Sequence, residues 1–326
     1  MTDRTLFRYP STSNKLSSDY FEFALGLLFN QGKEYTVTQA SYNIVMFAYN
    51  EANNLANSVT AVANNCDENL NKFYLVANGC TDNTVDVAEG LKQQLNFDKM
   101  EVINIELGDK CNAWNHYVHD VADEDTLCHF FVDADVVFSQ QCFPLLLEQI
   151  AQANDSCHII AGMPLSGRNL EFYQSLVTER FCFFGNLYGM HQRYLKLVRE
   201  KKFKLPIGLN WIDSFLTKAA NTDIQFIPRN LPDRVIHLDG VGFHFDSLSP
   251  FKWDDIKLYK NRIARYELGK IQETYLDEID SNNWPLTMHG INLSILESFE
   301  EKTQGLGLVK KYLVKKRLGR LIIKGS

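Results

Sequence analysis

Four short apolar runs, each closed by a polar turn, organise the first half of the chain. Ile44–Tyr49 and Phe73–Ala77 are continuous in their apolar residues rather than alternating, while Met100–Ile105 and Leu127–Val132 are mostly apolar, interrupted by Glu101 and Asn104 and by His129. Continuous runs of this length mark strands buried on both faces. Between them lie helix-compatible stretches, Asn53–Val62, Thr84–Leu95 and Asn112–Val121. Regular alternation of strand and helix predicts an α/β fold, a mostly parallel central sheet flanked by helices. In such sheets ligands bind beyond the carboxyl ends of the strands. Three turns fall there: Tyr49-Asn50-Glu51 after Ala48, Asn78 to Asp82, and Asp133-Ala134-Asp135. They are expected to meet at one crevice.

The second half is less regular. His158–Ala161 reads as a strand, and Asn169–Tyr194 as one helix rich in aromatic residues. Gly240–Asp246 is a glycine-broken segment, and Asp254–Gly269 a helix carrying Arg262 and Arg265. Those arginines are spaced i, i+3 and share a face. Before the first strand, Phe21–Phe29 reads as a short helix in an otherwise polar stretch. There is no internal repeat.

Composition narrows the class. The 326 residues are 45% hydrophobic and 22% charged, as a globular core requires. No apolar stretch is long enough to cross a bilayer, and Met1–Pro10 lacks the apolar core of a secretory signal. Seven scattered cysteines form no C-x-x-C pair, which predicts reduced thiols and a cytoplasmic protein. The net charge is −7, but eight Lys or Arg and no acid follow from Lys302 onward, so residues 1–301 carry −15. A basic tail on an acidic body suggests peripheral contact with the inner face of a membrane, or a solvated tail paired with acids. The apolar residues of Leu306–Ile323 do not sort onto one helical face. No nucleic-acid partner is expected.

The fourth strand carries the candidate chemistry. Phe130 to Phe138 reads Phe-Phe-Val-Asp-Ala-Asp-Val-Val-Phe. A buried carboxylate without a partner is costly, so Asp133 and Asp135 need compensation. A divalent cation at the strand end supplies it, since hard cations take oxygen ligands. A solvated strand-end turn is the plainer reading. The chain has neither a G-x-x-x-x-G-K-[ST] phosphate loop nor a G-x-G-x-x-G after the first strand, which disfavours nucleoside triphosphatases and ordinary dehydrogenases.

Several ordered motifs together resemble the family 2 glycosyltransferases of the GT-A fold. They are Ile44 to Glu51, Val76 to Thr84, the Lys110, Ala113 and Asn115 set, Asp133 with Asp135, and Asp213 in Trp-Ile-Asp-Ser-Phe-Leu. The resemblance spans roughly residues 42–270. It implies a nucleotide-sugar-dependent, inverting transferase in polysaccharide or glycolipid synthesis. It further implies a GT-A catalytic domain at 41–250, with a nucleotide-binding half at 41–138 and an acceptor-side half at 139–250. A 1–40 extension precedes it, and a helical extension with the basic tail, 251–326, follows. The implied donor contacts are Ala48, Tyr49, Glu51, Asn78, Lys110 and Asp133. Asp135 would hold Mn²⁺ or Mg²⁺, and Asp213 would act as general base. The acceptor would be a glycan or a lipid-linked hydroxyl. One departure stands out: Ala77 occupies a position where the family usually has an aspartate that contacts the base, so the choice of UDP over another nucleotide is open.

The residue types fit those roles physically. A cation bridging carboxylate and phosphate oxygens would neutralise the leaving diphosphate, which an acidic body cannot do alone. His244, in Gly-Phe-His-Phe-Asp, is a further ligand candidate or a core histidine. Lys110 is placed to meet a phosphate as a point charge. Apolar Trp211, Ile212 and Phe215 would raise the Asp213 carboxyl, and Trp211 would stack on a sugar. Arg262 and Arg265 would grip a phosphate or an acidic acceptor, or form a solvated face. Two alternatives remain: a sugar-nucleotide pyrophosphorylase, and a non-catalytic nucleotide-sugar-binding module.

Overall fold

A computed structural model describes residues 40–245 and 253–324. The expected helix at Phe21–Phe29, and Asp246, lie outside the described residues. The first half runs β1 (Tyr42–Ala48), α1 (Leu55–Asn65), β2 (Leu70–Asn78), α2 (Thr84–Gln94), β3 (Met100–Ile105), α3 (Lys110–His116) and β4 (Cys128–Asp133). A single π-helical turn, Tyr117–Val121, extends α3. Next come β5 (Val137–Phe138), α4 (Cys142–Ala151), β6 (Ile159–Pro164), α5 (Leu170–Thr178), β7 (Leu187–His191), α6 (Gln192–Glu200), α7 (Ile212–Asn221) and β8 (Val235–His244). Helices close the chain: α8 (Trp253–Asp277), α9 (His289–Glu297), α10 (Phe299–Lys302) and α11 (Leu308–Lys324).

The described strands form one eight-stranded sheet in the order β3-β2-β1-β4-β7-β6-β8-β5. β3, β2, β1 and β4 are parallel. β7 runs antiparallel between β4 and β6, β6 pairs in parallel with β8, and β5 closes antiparallel on β8. All seven residues of β1 are buried. Alternate residues serve opposite faces, as the strand period requires. Ile44 and Met46 join one core with Leu55, Val59 and Phe143; Val45 and Phe47 join the other with Trp114, Phe215 and Leu268. The continuous apolar runs of the sequence are thus strands sandwiched between two helical layers.

Two expectations need correction. Asn169–Tyr194 is not one helix: α5 ends at Thr178, a loop runs through Gly185, and β7 begins at Leu187. Its aromatic density reflects core packing, with Phe183 and Tyr188 in contact and Tyr188 stacked on Phe131 of β4. The glycine-broken segment at 240–246 is continuous strand as far as His244, with a register shift where Met163 meets Gly242. A Cβ on Gly242 would lie 1.9 Å from the Met163 carbonyl oxygen, so glycine is needed for this close approach.

The basic C-terminal stretch is helical. Val314 and Leu318 of α11 are buried, and both belong to the core cluster of Leu268 and Ile271 in α8. Leu308, Val309, Tyr312 and Ile323 of the same helix stay exposed. One helix therefore carries an inward and an outward apolar face, which is why no single face was visible in the sequence.

Candidate active site

The strand ends bring the polar turns together. Asn50, held at φ +55°, accepts at Oδ1 from the Thr81 backbone N–H and donates from Nδ2 to Thr81 Oγ1. The first and second turns are thereby zipped to each other. Tyr49 is exposed beside them and Ala48 is buried at the end of β1. Glu51 is half-buried; its backbone N–H donates to Thr84 Oγ1 at 3.0 Å, and its carboxylate accepts from Asn54. Burial, together with the Asp135, Asp133 and Asp82 charges, raises the Glu51 carboxyl, although the Asn54 bond works against it. Glu51 therefore shares the electrostatic field of the two aspartates.

Asn78 is buried, and its Oδ1 accepts the Asp109 backbone N–H at 3.0 Å. Asp109 in turn caps α3, its Oδ1 accepting the Cys111 and Asn112 N–H groups, while its Oδ2 accepts from Gly208. An aspartate in this position satisfies orphan donors of the helix. The chain Asn78–Asp109 fixes where α3 begins, and the next residue is Lys110. Neither Asp109 nor its tie to Gly208 was singled out from sequence; an Asp directly before a helix start is the signal that marks such a cap.

Lys110 is the centre of the site. Its Nζ lies 2.5 Å from Asp133 Oδ1, both side chains being about one-third exposed. Burial would lower the ammonium, but Asp133 and Asp213 outweigh it and hold it above its usual value. Asp213 stands in the first turn of α7, where the helix dipole favours an anion. Its carboxyl is raised: burial and the Asp133 charge push it up, against Lys110, the Gly185 N–H and Arg265. The expected apolar setting is present, since Phe215 is fully buried and Ile212 packs on the core. Trp211 lies against α8, with Tyr266 at 6.1 Å between ring centroids and Lys270 Nζ 5.8 Å from its ring.

Gly185 lies between these charges. A Cβ there would come 2.8 Å from Lys110 Nζ, 3.0 Å from Asp213 Oδ1 and 3.7 Å from Asp133 Oδ2. Gly185, Lys110 and Asp213, with Phe47, Trp114, Phe131, Tyr188, Ile212 and Leu216, line a small pocket. Gly185 was not recognised in the sequence, because the loop holding it was read as helix. Gly185→Ala is expected to displace the flexible Lys110 ammonium rather than the backbone. Turnover should fall about tenfold, equivalent to about 1.4 kcal/mol in the barrier. The melting temperature, followed by circular dichroism, should move by no more than about 4 °C.

Asp135 lies one turn further on. Ser58 of α1 donates to the Ala134 carbonyl at 2.7 Å and so pins the turn between the two aspartates. Asp135 is exposed as a residue, yet crowding in the crevice and the Asp133 charge raise its carboxyl, with Lys110 and Arg262 acting in the opposite sense. His244 reaches the same strand end, because it pairs with Val137 in the β5–β8 ladder. Among the described residues no three His, Cys, Asp or Glu side chains gather closely enough to hold an ion alone. Lys110 pairs with Asp133, and Asp135 has no ion pair among the described residues. Arg262 and Arg265 are exposed on α8 and form no ion pair among the described residues.

A parallel half-sheet whose strand ends gather carboxylates, a lysine and a pocket defines a GT-A type transferase. Residues 43–206, half of the chain, match the glycosyl transferase family 2 model. The chain belongs to that family and is a glycosyltransferase. Among solved structures it is similar to the mannosyltransferase PcManGT from Pyrobaculum calidifontis in complex with GDP-Man and Mn²⁺. The identity is 14%, the TM-score 0.56, and 94% of this chain and 93% of that one are covered. It is also similar to residues 1–349 of S. aureus TarS in complex with UDP, at 16% identity and TM-score 0.50, over 86% of this chain and 83% of that one. At these identities the likeness concerns the fold. No curated protein matches the sequence.

All seven cysteines are free, as expected. No helix of the described residues is long and apolar enough to cross a membrane.

Proposed function

We propose that the protein transfers a sugar, with inversion, from a nucleotide-sugar donor to an acceptor hydroxyl of a glycan or lipid-linked glycan. The observation that carries this reading is the Lys110–Asp133–Asp213 cluster around Gly185, with Asp135 beside it. Asp213, its carboxyl raised towards working pH, takes the proton of the attacking hydroxyl. A single base opposite the leaving group implies one displacement and therefore inversion. Lys110, held by Asp133, meets the negative charge that builds on the departing nucleotide. Ala48, Tyr49, Glu51 and Asn78 frame the nucleoside end of the crevice. Asp135, with His244 of the neighbouring strand end as a candidate second ligand, would hold Mn²⁺ or Mg²⁺, which when bound would act as a Lewis acid on the diphosphate.

The two similar structures carry GDP-Man and UDP, so a nucleoside diphosphate group is common to both. UDP-sugars are our first choice, and Ala77 keeps the nucleobase the least constrained feature of the donor. A panel of UDP- and GDP-sugars, assayed for released nucleotide with Mn²⁺, tests the reading. Turnover of one donor class is expected; no release from any donor, with metal and acceptor extracts present, would contradict it.

The outer face of α11 supports peripheral membrane contact. Leu308, Val309, Tyr312 and Ile323 are exposed, and Lys315, Lys316 and Arg320 are exposed or partly exposed on the same helix. Anionic lipid attracts such a surface by about 1 kcal/mol per basic residue. Co-sedimentation with phosphatidylglycerol vesicles, absent with phosphatidylcholine, is expected. The double change Lys316→Glu and Arg320→Glu should reduce it by about tenfold or more. Equal partition to both lipids would refute the contact.

A further inference from the structure

Arg317 of α11 was part of a basic tail in the sequence, yet it points back to the catalytic body. Its Nε donates to Asn210 Oδ1, three residues before Asp213. Asn210 cannot turn away easily. Its Nδ2 donates to the Gly208 carbonyl and to Gln272 Oε1, both at 3.0 Å, and Gln272 is itself bonded to the buried Asn292. This amide network fixes Arg317 through Nε alone. Its two terminal nitrogens have no protein partner among the described residues, and neither is sealed from solvent.

The surroundings of Arg317 are the wrong sign for a structural arginine. Burial, followed by the charges of Arg265 and Arg320, pushes its guanidinium down to about 10, and only Asp109 acts the other way. The Asp109 carboxylate is already taken by the Cys111, Asn112 and Gly208 N–H groups. Arg265 and Arg320 have no ion pair among the described residues either. A half-buried arginine beside other arginines, none of them in an ion pair among the described residues, is a destabilising arrangement unless an anion completes it. Arg317 is held by Asn210, three residues before Asp213, and on the helix of Arg265 a Cβ at Gly269 would lie 2.5 Å from Trp211 Cβ, so the cluster adjoins the base. It lies on the α8–α11 side, whereas the donor contacts lie at the ends of β1, β2 and β4.

We propose that Arg265 and Arg317 form a phosphate subsite on the acceptor side of Asp213, so that the acceptor is an alcohol bearing a phosphate group. Two guanidinium forks match the oxygens of a phosphate, to which arginine binds in a bidentate manner. The subsite deepens the transferase reading and rests on it for the word acceptor, but the binding itself does not.

The test is calorimetric titration of glycerol 3-phosphate, glycerol and dodecyl phosphate into the full chain. Wild type is expected to bind the phosphates and not glycerol, with affinity falling as salt rises. Arg265→Gln and Arg317→Gln should each weaken phosphate binding by about tenfold to a hundredfold. Arg317→Gln should keep or raise the melting temperature, because it removes an unpaired, half-buried charge; a merely structural arginine would lower it. Affinity of UDP with Mn²⁺ should be unchanged in both variants. Tighter binding of dodecyl phosphate would place the phosphate on a lipid, and tighter glycerol 3-phosphate on a soluble alcohol; either supports the subsite. No phosphate binding at about 10 mM, variants that bind as wild type does, or a loss confined to UDP would each overturn it. If the phosphates bind as expected but no donor is ever turned over, the subsite stands and the transferase mechanism falls.

Discussion

Asp213→Asn is expected to abolish most turnover while leaving nucleotide binding intact. Asparagine keeps the shape of the side chain but cannot accept the acceptor proton, and general-base assistance is worth ~10²–10⁴-fold. Lys110 retains Asp133 as its partner at 2.5 Å, so the fold should not suffer. The pH profile supplies an independent readout. The base must be ionised, and burial raises the Asp213 carboxyl. Wild-type kcat/KM should therefore fall with decreasing pH on a limb that lies above the ordinary aspartate value of about 3.9. The residual activity of the variant should lack that limb. Steady-state kinetics over a pH series, with nucleotide affinity measured in parallel, decides the matter. Unchanged turnover would remove Asp213 from the mechanism.

Asp135→Asn should act on the other half of the reaction. The change removes the charge that Lys110 does not already neutralise, so the loss should appear as weakened Mn²⁺ dependence. We expect kcat/KM at subsaturating Mn²⁺ to drop by about 10²-fold or more, partly restored by excess metal. Asp133→Asn should differ in kind. It frees the Lys110 ammonium and lets it turn to Asp213, which would lower the carboxyl that serves as base. A titration of activity against Mn²⁺ in both variants separates the two roles. An Asp135→Asn enzyme with wild-type metal dependence would contradict the assignment.

How much of this was legible in the sequence depended on how each strand is buried. β1, β2 and β4 are parallel and mostly buried, so each appears as a largely apolar run ended by a turn; β3 is a half-exposed edge strand whose bounds, Met100–Ile105, still agree with the sequence reading. Asp133 and Asp135 stood out because charge at such a strand end needs a reason, whereas Lys110 and Asp213, both at helix starts, were marked by the resemblance to family 2 glycosyltransferases. Past β4 the sheet mixes directions, and its strands range from two residues in β5 to ten in β8. β7 is a five-residue strand directly followed by α6, and its aromatic side chains look the same in a helix. That misreading hid Gly185, whose importance lies in what a side chain would strike rather than in any pattern. Asp109 and Asn78 work through backbone bonds between distant loops, which spacing does not reveal. Arg317 was hidden in an excess of charge, because only the packing of α11 on α8 distinguishes it from its solvated neighbours.

Calorimetric titration of UDP and GDP into the wild-type protein, with Mn²⁺ and then with EDTA, tests the central claim most directly. The account predicts that one of the two nucleotides binds with Mn²⁺ and that binding collapses when the metal is removed, because Lys110 is already paired with Asp133 and cannot alone neutralise a diphosphate in an acidic crevice. Equal affinity with and without metal would contradict it, and Asp135 would lose its role as the metal ligand.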